Sequence, residues 1–306
     1  MNTPTISVII VTYNTGEIVL DALASVLAQS LPVELILVDN QSSDDTVELV
    51  RDQFPDVQVI VSQTNSGFGG GNNLGFQHAS GDYLALINPD LRLGADALNT
   101  MLVYLQENPT VSIVGPRTVN ADGHIALTAR SVYSVFRIIL TYFGLTTLLP
   151  HLLRREERAV NLHATEPQTV VWLQGSCMVM KREIFDALGG FDEGFFLYAE
   201  DVDLCYRARA LSTQVVYHPQ ARATHLEGTT TGNFPYFRVR SYHLSPLYFF
   251  RKRGKHAQVI VLKLFFTVEL LLKSTLRRLR NLVNYSERRA NHARAELKVL
   301  WETWRY

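Results

Sequence analysis

The sequence predicts an α/β protein: a mixed, mainly parallel sheet flanked by helices, followed by a helical appendage. Three observations carry this. Short β-branched and aliphatic runs recur through the first half, "ISVIIVTY" (6–13), "ELILVD" (34–39), "VQVIVS" (57–62), "YLALIN" (83–88) and "VSIVG" (111–115). Helix-like segments separate the first of them, the βαβ rhythm of a parallel sheet. The runs are near-continuously apolar, as in strands covered on both faces.

The first two helices are predicted at 17–29 and 43–54, the second with Ser43 as its cap and acids in its first turn. "NSGFGGGNNLG" (65–75) reads as a glycine-rich loop leading into a helix. Residues 117–168 read as a variable insertion, with a turn at Asp122-Gly123, an apolar stretch at 135–150 and the charged "RREER" at 154–158. "VVWLQGSCMVMKR" (170–182) is strand-like, "EIFDALGG" (183–190) is a short helix ended by glycine, and a helix follows near 200–211. Two strands are expected near 214–218 and 221–225, then helices over the closing segment. The expected domains are 1–235, for ligand binding and catalysis, and 236–306, helical and basic.

Length and composition fit that plan: 306 residues, 47% hydrophobic and 19% charged, suit a sizeable core and argue against disorder. The formal net charge of zero conceals an asymmetry, because residues 251–306 hold 14 Lys and Arg against 4 Asp and Glu. Cys177 and Cys205 sit in apolar sequence without metal or redox spacing, which favours buried reduced thiols and a cytoplasmic setting. The N-terminus lacks the features of a signal peptide. The stretch 259–272 contains Lys263 and Glu269 and falls short of the roughly 20 residues that cross a bilayer. A basic amphipathic segment of this kind suits peripheral contact with an anionic membrane face. A nucleic-acid partner is not expected, since no known binding module is present. Pairing of two subunits through these helices is the structural alternative.

Four constellations are candidates for chemistry. The glycine-rich stretch would let backbone amides approach an anion, or would merely reverse the chain. "NPD" (88–90) aims Asp90 beyond a strand end, where a hard cation could sit, although taken singly the motif reads better as a plain turn. "FFLYAEDVDLCYR" (195–207) places Glu200, Asp201 and Asp203 at a helix start after a run bound for a core. An ionised carboxylate there needs a partner or a polar cleft. Asp203 precedes Arg207 by four residues, an ordinary helix ion pair, whereas Glu200 and Asp201 suit a general base beside a hydroxyl-bearing substrate. His225 in "THLEG" is a metal or phosphate contact, or a satisfied strand-end histidine.

In this order, "VIIVTYN", "LVDNQSSDDT", "NSGFGGGNNLG", "LINPD", "WLQGSCMVMKRE", "GGFDEGFFLYAEDVDLCYR" and "HLEG" resemble the family 2 glycosyltransferases of the GT-A fold, above all the bacterial rhamnosyltransferase-like branch. The resemblance covers roughly residues 6–250. It implies a nucleotide-sugar donor bound by Thr12, Tyr13, Asp39, Asn65, Gly67, Gly71, Asn73 and Asn88. It implies Mg²⁺ or Mn²⁺ held by Asp90, the last position of the family's DxD motif, with help from His225. Asn88 replaces the first acid of that motif, which implies a weaker hold on the cation. Trp172, Gln174 and Gly175 would shape the acceptor side, and Asp201 would be the base with Glu200 its neighbour.

The implied reaction is a metal-assisted, inverting transfer, with dTDP-rhamnose the leading donor and a lipid-linked saccharide the acceptor, in cell-surface polysaccharide synthesis. One catalytic carboxylate suffices for a single displacement, unlike the paired acids of glycosidases. A nucleotidyltransferase is the enzyme rival, but "VTYNTGEIVL" lacks the basic loop that binds triphosphate. A non-catalytic nucleotide-sugar-binding or scaffold protein is the other.

Overall fold

The computed structural model describes residues 5–130, 132–142, 160–226 and 235–306. The "RREER" cluster, the second half of the apolar stretch before it (143–150) and the end of the "THLEG" motif lie outside the described residues. Contacts group the chain into two compact units. One holds the described residues of Met1–Val132, His151–Glu193 and Glu200–Thr230, and the other those of Tyr133–Pro150, Gly194–Ala199 and Thr231–Tyr306.

In the first unit, β1 (Ile6–Thr12), α1 (Ile18–Leu27), β2 (Val33–Asp39), α2 (Thr46–Gln53), β3 (Gln58–Val61), α3 (Gly67–His78) and β4 (Tyr83–Ile87) follow one another in sequence. Their four strands are parallel, with β1 between β2 and β4. After β5 (Leu91–Leu93) and α4 (Ala97–Glu107) come β6 (Val111–Val119), β7 (Ala129–Arg130), β8 (Gln168–Val170), β9 (Trp172–Leu173) and β10 (Cys177–Lys181). α6 (Arg182–Ala187), α7 (Glu200–Ala210) and β11 (Gln214–His225) complete the unit; α5 belongs to the other. The nine-stranded sheet runs β3-β2-β1-β4-β10-β6-β11-β5, with β8 on β11, while β7 and β9 pair separately. β10 enters antiparallel between β4 and β6, which makes the sheet mixed.

β1 is buried along its whole length. Its residues alternate between two faces: Val8 and Ile10 join a core with Val19, Leu23 and Val26 of α1, while Ile9 and Val11 face α3. A β-carbon on Gly75 would lie 2.5 Å from Ile9 Cγ2, and one on Gly71 would lie 2.6 Å from Val11 Cγ1. The stretch expected as a loop is therefore helix from Gly67 onward, and its glycines let that helix lie directly on the sheet.

Other expectations also need correction. Ser43 does not cap α2; its N–H and Oγ donate to Asn14 Oδ1 at 2.7 and 3.3 Å, and Asp45 holds the cap position. The two strands expected at 214–225 are one, β11, with a register break between His218 and Arg222. Pro219 falls in that break, where the ladder does not need its missing N–H. The stretch 170–182 is split between β9 and β10 by a turn at 174–176. Cys177 and Cys205 are free and buried, and burial pushes both thiols up to about 12.

The second unit holds α5 (Val135–Tyr142), α8 (Pro235–Lys252), α9 (His256–Val283) and α10 (Glu287–Arg305). Phe266 and Leu270 are buried, His243 Nε2 meets the buried Glu269 Oε2 at 2.8 Å, and the half-buried Arg277 pairs through Nε with the buried Glu296 Oε1 at 2.9 Å. Among the described residues no helix is long and apolar enough to cross a membrane.

Candidate active site

The carboxyl ends of β1 and β2 lie side by side, with Thr12 and Asp39 in register. Asn40 N–H donates to Thr12 O at 2.8 Å, and Asn40 Nδ2 donates to Gly67 O at 2.8 Å. These bonds bring the start of α3 to the strand ends. Asn65 Oδ1 accepts the Gly67 N–H at 3.0 Å. Asp39 Oδ2 accepts the Ser42 N–H at 3.0 Å, while its Oδ1 is buried without a hydrogen-bond partner. Tyr13 follows β1 and is half-buried. Asn73 is placed differently: its amide accepts the Phe191 N–H at 2.8 Å and donates to Phe191 O at 3.0 Å and Glu193 Oε1 at 2.9 Å. It holds the segment between α6 and α7 rather than facing the strand ends.

β4 leaves the sheet through a turn closed by Leu91 N–H to Asn88 O at 3.2 Å. The expected turn is present. Asp90 Oδ1 meets His225 Nε2 at 2.9 Å with both side chains buried, and Leu226 N–H donates to Asp90 O at 2.9 Å. The other ring nitrogen, His225 Nδ1, is buried and has no partner among the described residues. Among the described residues no three His, Cys, Asp or Glu side chains gather as a metal cluster.

α7 begins on Glu200, and its first turn carries Glu200, Asp201 and Asp203 where the helix dipole favours negative charge. Asp203 pairs with Arg207 at 2.7 Å, and Arg207 also donates to Leu188 O and Gly190 O at 2.9 and 2.8 Å. That carboxylate is structural. Asp201 accepts the Gly175 N–H on Oδ2 at 2.8 Å and the Val202 N–H on Oδ1 at 2.7 Å. Glu200 is buried with Oε2 unpartnered. Burial, compounded by Asp201 beside it, pushes Glu200 well above the ordinary glutamate range. Burial raises Asp201 too, opposed by the amides of Gly175 and Val202 and by the charge of Arg130. The two residues before the helix, Tyr198 and Ala199, have left-handed backbones at φ 65° and 68°. For residues with a side chain this costs roughly 1–2 kcal/mol each.

One turn ties the second and third groups together. Gly175 N–H reaches Asp201, and Ser176 O accepts the Asn88 N–H at 2.9 Å. A β-carbon on Gly175 would lie 3.2 Å from both Asp201 Cβ and the Phe68 ring, so the start of α3 borders the same place. Trp172 and Gln174 approach from β9, with Trp172 Nε1 donating to Val132 O at 3.2 Å and Gln174 N–H to Thr128 O at 2.7 Å. Arg130, whose guanidinium lies 5.4 Å from the Trp172 ring, escaped the sequence reading. It reaches the site only through the β7–β9 pairing, which leaves no trace in local spacing.

Residues 7–189 match glycosyl transferase family 2. The chain belongs to that family. As a family 2 glycosyltransferase it is 30% identical over 267 residues to the N-acetylglucosaminyl-diphospho-decaprenol L-rhamnosyltransferase of Mycobacterium tuberculosis, covering 82% of this chain and 85% of that one. It is 27% identical over 172 residues to the rhamnosyltransferase WbbL of Escherichia coli K12, covering 52% and 60% of the two chains. Among solved structures, the mannosyltransferase PcManGT from Pyrobaculum calidifontis, in complex with GDP-Man and Mn²⁺, superposes with a TM-score of 0.56 at 15% identity. That match covers 99% of this glycosyltransferase and 88% of the other chain, and it shows the shared GT-A fold alone.

Proposed function

We propose that this glycosyltransferase moves L-rhamnose from dTDP-rhamnose to a hydroxyl of a lipid-linked saccharide, in the synthesis of a bacterial cell-surface polysaccharide such as O-antigen or cell wall. The observation that carries the reading is the turn at 174–176, which joins the buried Glu200–Asp201 pair to the Asn88–Asp90 segment. That connection supports reading the two segments as the base and the leaving-group side of one site. The two relatives named as rhamnosyltransferases support the sugar, and the decaprenol-linked substrate in one name supports the acceptor.

In this reading Thr12, Tyr13, Asp39, Asn65, Gly67 and Gly71 border the nucleotide, and the free Oδ1 of Asp39 accepts a donor hydrogen from its base or ribose. Asp201 takes the proton of the acceptor hydroxyl as that oxygen bonds to the anomeric carbon. The bond from that carbon to the diphosphate breaks with its electron pair on the leaving oxygen, so the anomeric centre inverts. Glu200, beside Asp201 and raised by burial, keeps the pair from carrying two full charges. Trp172, Gln174 and Gly175 border the acceptor.

The donor set of Asp90 and His225 fits a divalent cation, and among the described residues His225 Nδ1 has no hydrogen-bond partner, which supports that reading. Bound there, Mg²⁺ or Mn²⁺ would neutralise charge on the leaving diphosphate. Asn88 contributes an amide where a second carboxylate would hold the ion more tightly.

The lipid-linked acceptor is also supported by α9. Leu264, Val268, Leu271, Leu272, Leu276, Leu279 and Leu282 are exposed at helical spacing, with Lys273, Arg278 and Arg280 exposed among them. A stripe of this composition suits an anionic leaflet at the cytoplasmic membrane face. The test is release of nucleoside diphosphate from a donor panel of dTDP-rhamnose, UDP-hexoses, UDP-galactofuranose and GDP-sugars, with and without a lipid-saccharide extract. Acceptor-stimulated release from dTDP-rhamnose alone supports the reading. Release from a different sugar nucleotide replaces the donor, and binding without release in the presence of acceptor favours the non-catalytic rival.

A further inference from the structure

Three arginines stand on one face of the sheet where β5, β11 and β6 run side by side, all within the first unit. Arg222 of β11 is in register with Arg117 of β6, and Thr224, two residues on, is in register with Arg92 of β5. Residues two apart on a strand share a face, so Arg92, Arg117, Arg222 and Thr224 point the same way. Ala221 and Ala223, which alternate with them, are buried in the core. The same alternation sends His225 to the core side, so the trio is separate from the Asp90–His225 contact.

These side chains line a groove of about 390 Å³, with Val119 and Ile125 of the hairpin that closes β6 as its apolar wall. That volume lies within the roughly 300–1,000 Å³ of small-ligand sites. Like charges that face one another on a sheet are unfavourable, and here the register imposes them. Asp21 pairs with Arg92, and Arg117 donates through Nε to Tyr217 Oη at 3.2 Å and through Nη2 to Ala164 O. Arg222 is exposed and has no hydrogen bond or ion pair among the described residues. A guanidinium carries five N–H donors, so all three arginines keep donors to spare. Among the described residues one paired carboxylate stands against three positive charges.

Planar guanidinium forks match the oxygens of a phosphate in pairs. A carboxylate offers two oxygens in one plane, which a single fork occupies. Three forks from three strands call for a tetrahedral oxyanion, and the apolar wall leaves room for an uncharged substituent on it. We propose that this groove binds a phosphate group, free or as the headgroup of a lipid. The site is independent of the sugar donor and acceptor proposed above.

Calorimetric titration of inorganic pyrophosphate into the full chain, at fixed ionic strength and in chelator, tests the free form. Wild type should bind it saturably, and Arg222→Gln and Arg92→Gln should each weaken that binding by about tenfold or more. Arg222→Lys, which keeps the charge and loses the fork, should fall between. Pyrophosphate should also raise the melting temperature of wild type more than that of Arg222→Gln. Co-sedimentation with phosphatidic acid vesicles tests the lipid form, in a Leu272→Ser, Leu279→Ser background chosen to remove the contribution of α9. Pyrophosphate binding that depends on Arg222 assigns the site to free phosphate. Vesicle binding that depends on Arg222, without pyrophosphate binding, assigns it to a headgroup. Binding that Arg222→Gln leaves unchanged in both arms, or no binding in either, overturns the proposal.

Discussion

Asp90 and His225, 135 positions apart in the chain, meet at 2.9 Å because β5 and β11 pair antiparallel directly beyond the turn that carries Asp90. The contact joins a carboxylate to an imidazole whose second nitrogen is buried and has no partner among the described residues. If this pair receives a divalent cation with the donor diphosphate, Asp90→Ala lowers dTDP-rhamnose affinity by at least about tenfold in Mg²⁺ or Mn²⁺ and changes nothing in chelator. Calorimetric titration measures both. Equal wild-type affinity with and without metal contradicts the role.

Glu200 and Asp201 give the protein a pH signature. Burial raises both, and the charge of Asp201 raises Glu200 further, so the folded state holds protons that the unfolded state has released. Stability is therefore greatest below the ordinary carboxylate range and falls as pH rises toward the raised folded values. Glu200→Gln should flatten that fall, measured as melting temperature against pH. A fall that stays as steep in Glu200→Gln contradicts the assignment of this pH dependence to the buried acid.

Gly75 distinguishes close packing from flexibility. In an exposed helix, alanine for glycine stabilises by about 1 kcal/mol. At Gly75 the added carbon meets Ile9 at 2.5 Å and Val38 at 3.1 Å, both buried in the sheet. Gly75→Ala should therefore destabilise by about 1–3 kcal/mol, read from urea denaturation. A stabilised variant contradicts the packing account of α3.

The exposed face of α9 should bind vesicles containing phosphatidylglycerol and not neutral ones, with affinity falling as salt rises. Arg278→Glu with Arg280→Glu weakens that binding, and Leu272→Ser with Leu279→Ser removes it, in co-sedimentation. Salt-insensitive binding, or a concentration-dependent dimer lost in the leucine variants, assigns the face to a second copy instead.

The parallel half of the sheet is legible because its strands are uninterrupted β-branched runs, and period two then assigns Ile9 and Val11 to one face. The acidic helix start is legible because charge after an aromatic run has no cheap explanation. The glycine-rich stretch misleads, since glycines that open a loop and glycines that admit a helix to a sheet look alike without Val11 and Ile9 opposite them. Asn73 misleads in the same way: its partner Phe191 is 118 residues on.

The most direct test of the central claim compares wild type with Asp201→Asn for dTDP release from dTDP-rhamnose in the presence of a lipid-saccharide extract. Asparagine keeps an acceptor for one of the two amides and loses the basic oxygen. The account predicts an intact fold, retained donor binding and a loss of acceptor-stimulated release of about 10²–10⁴-fold. Wild-type release from the asparagine variant would remove Asp201 as the base and, with it, the chemistry assigned to the acidic helix.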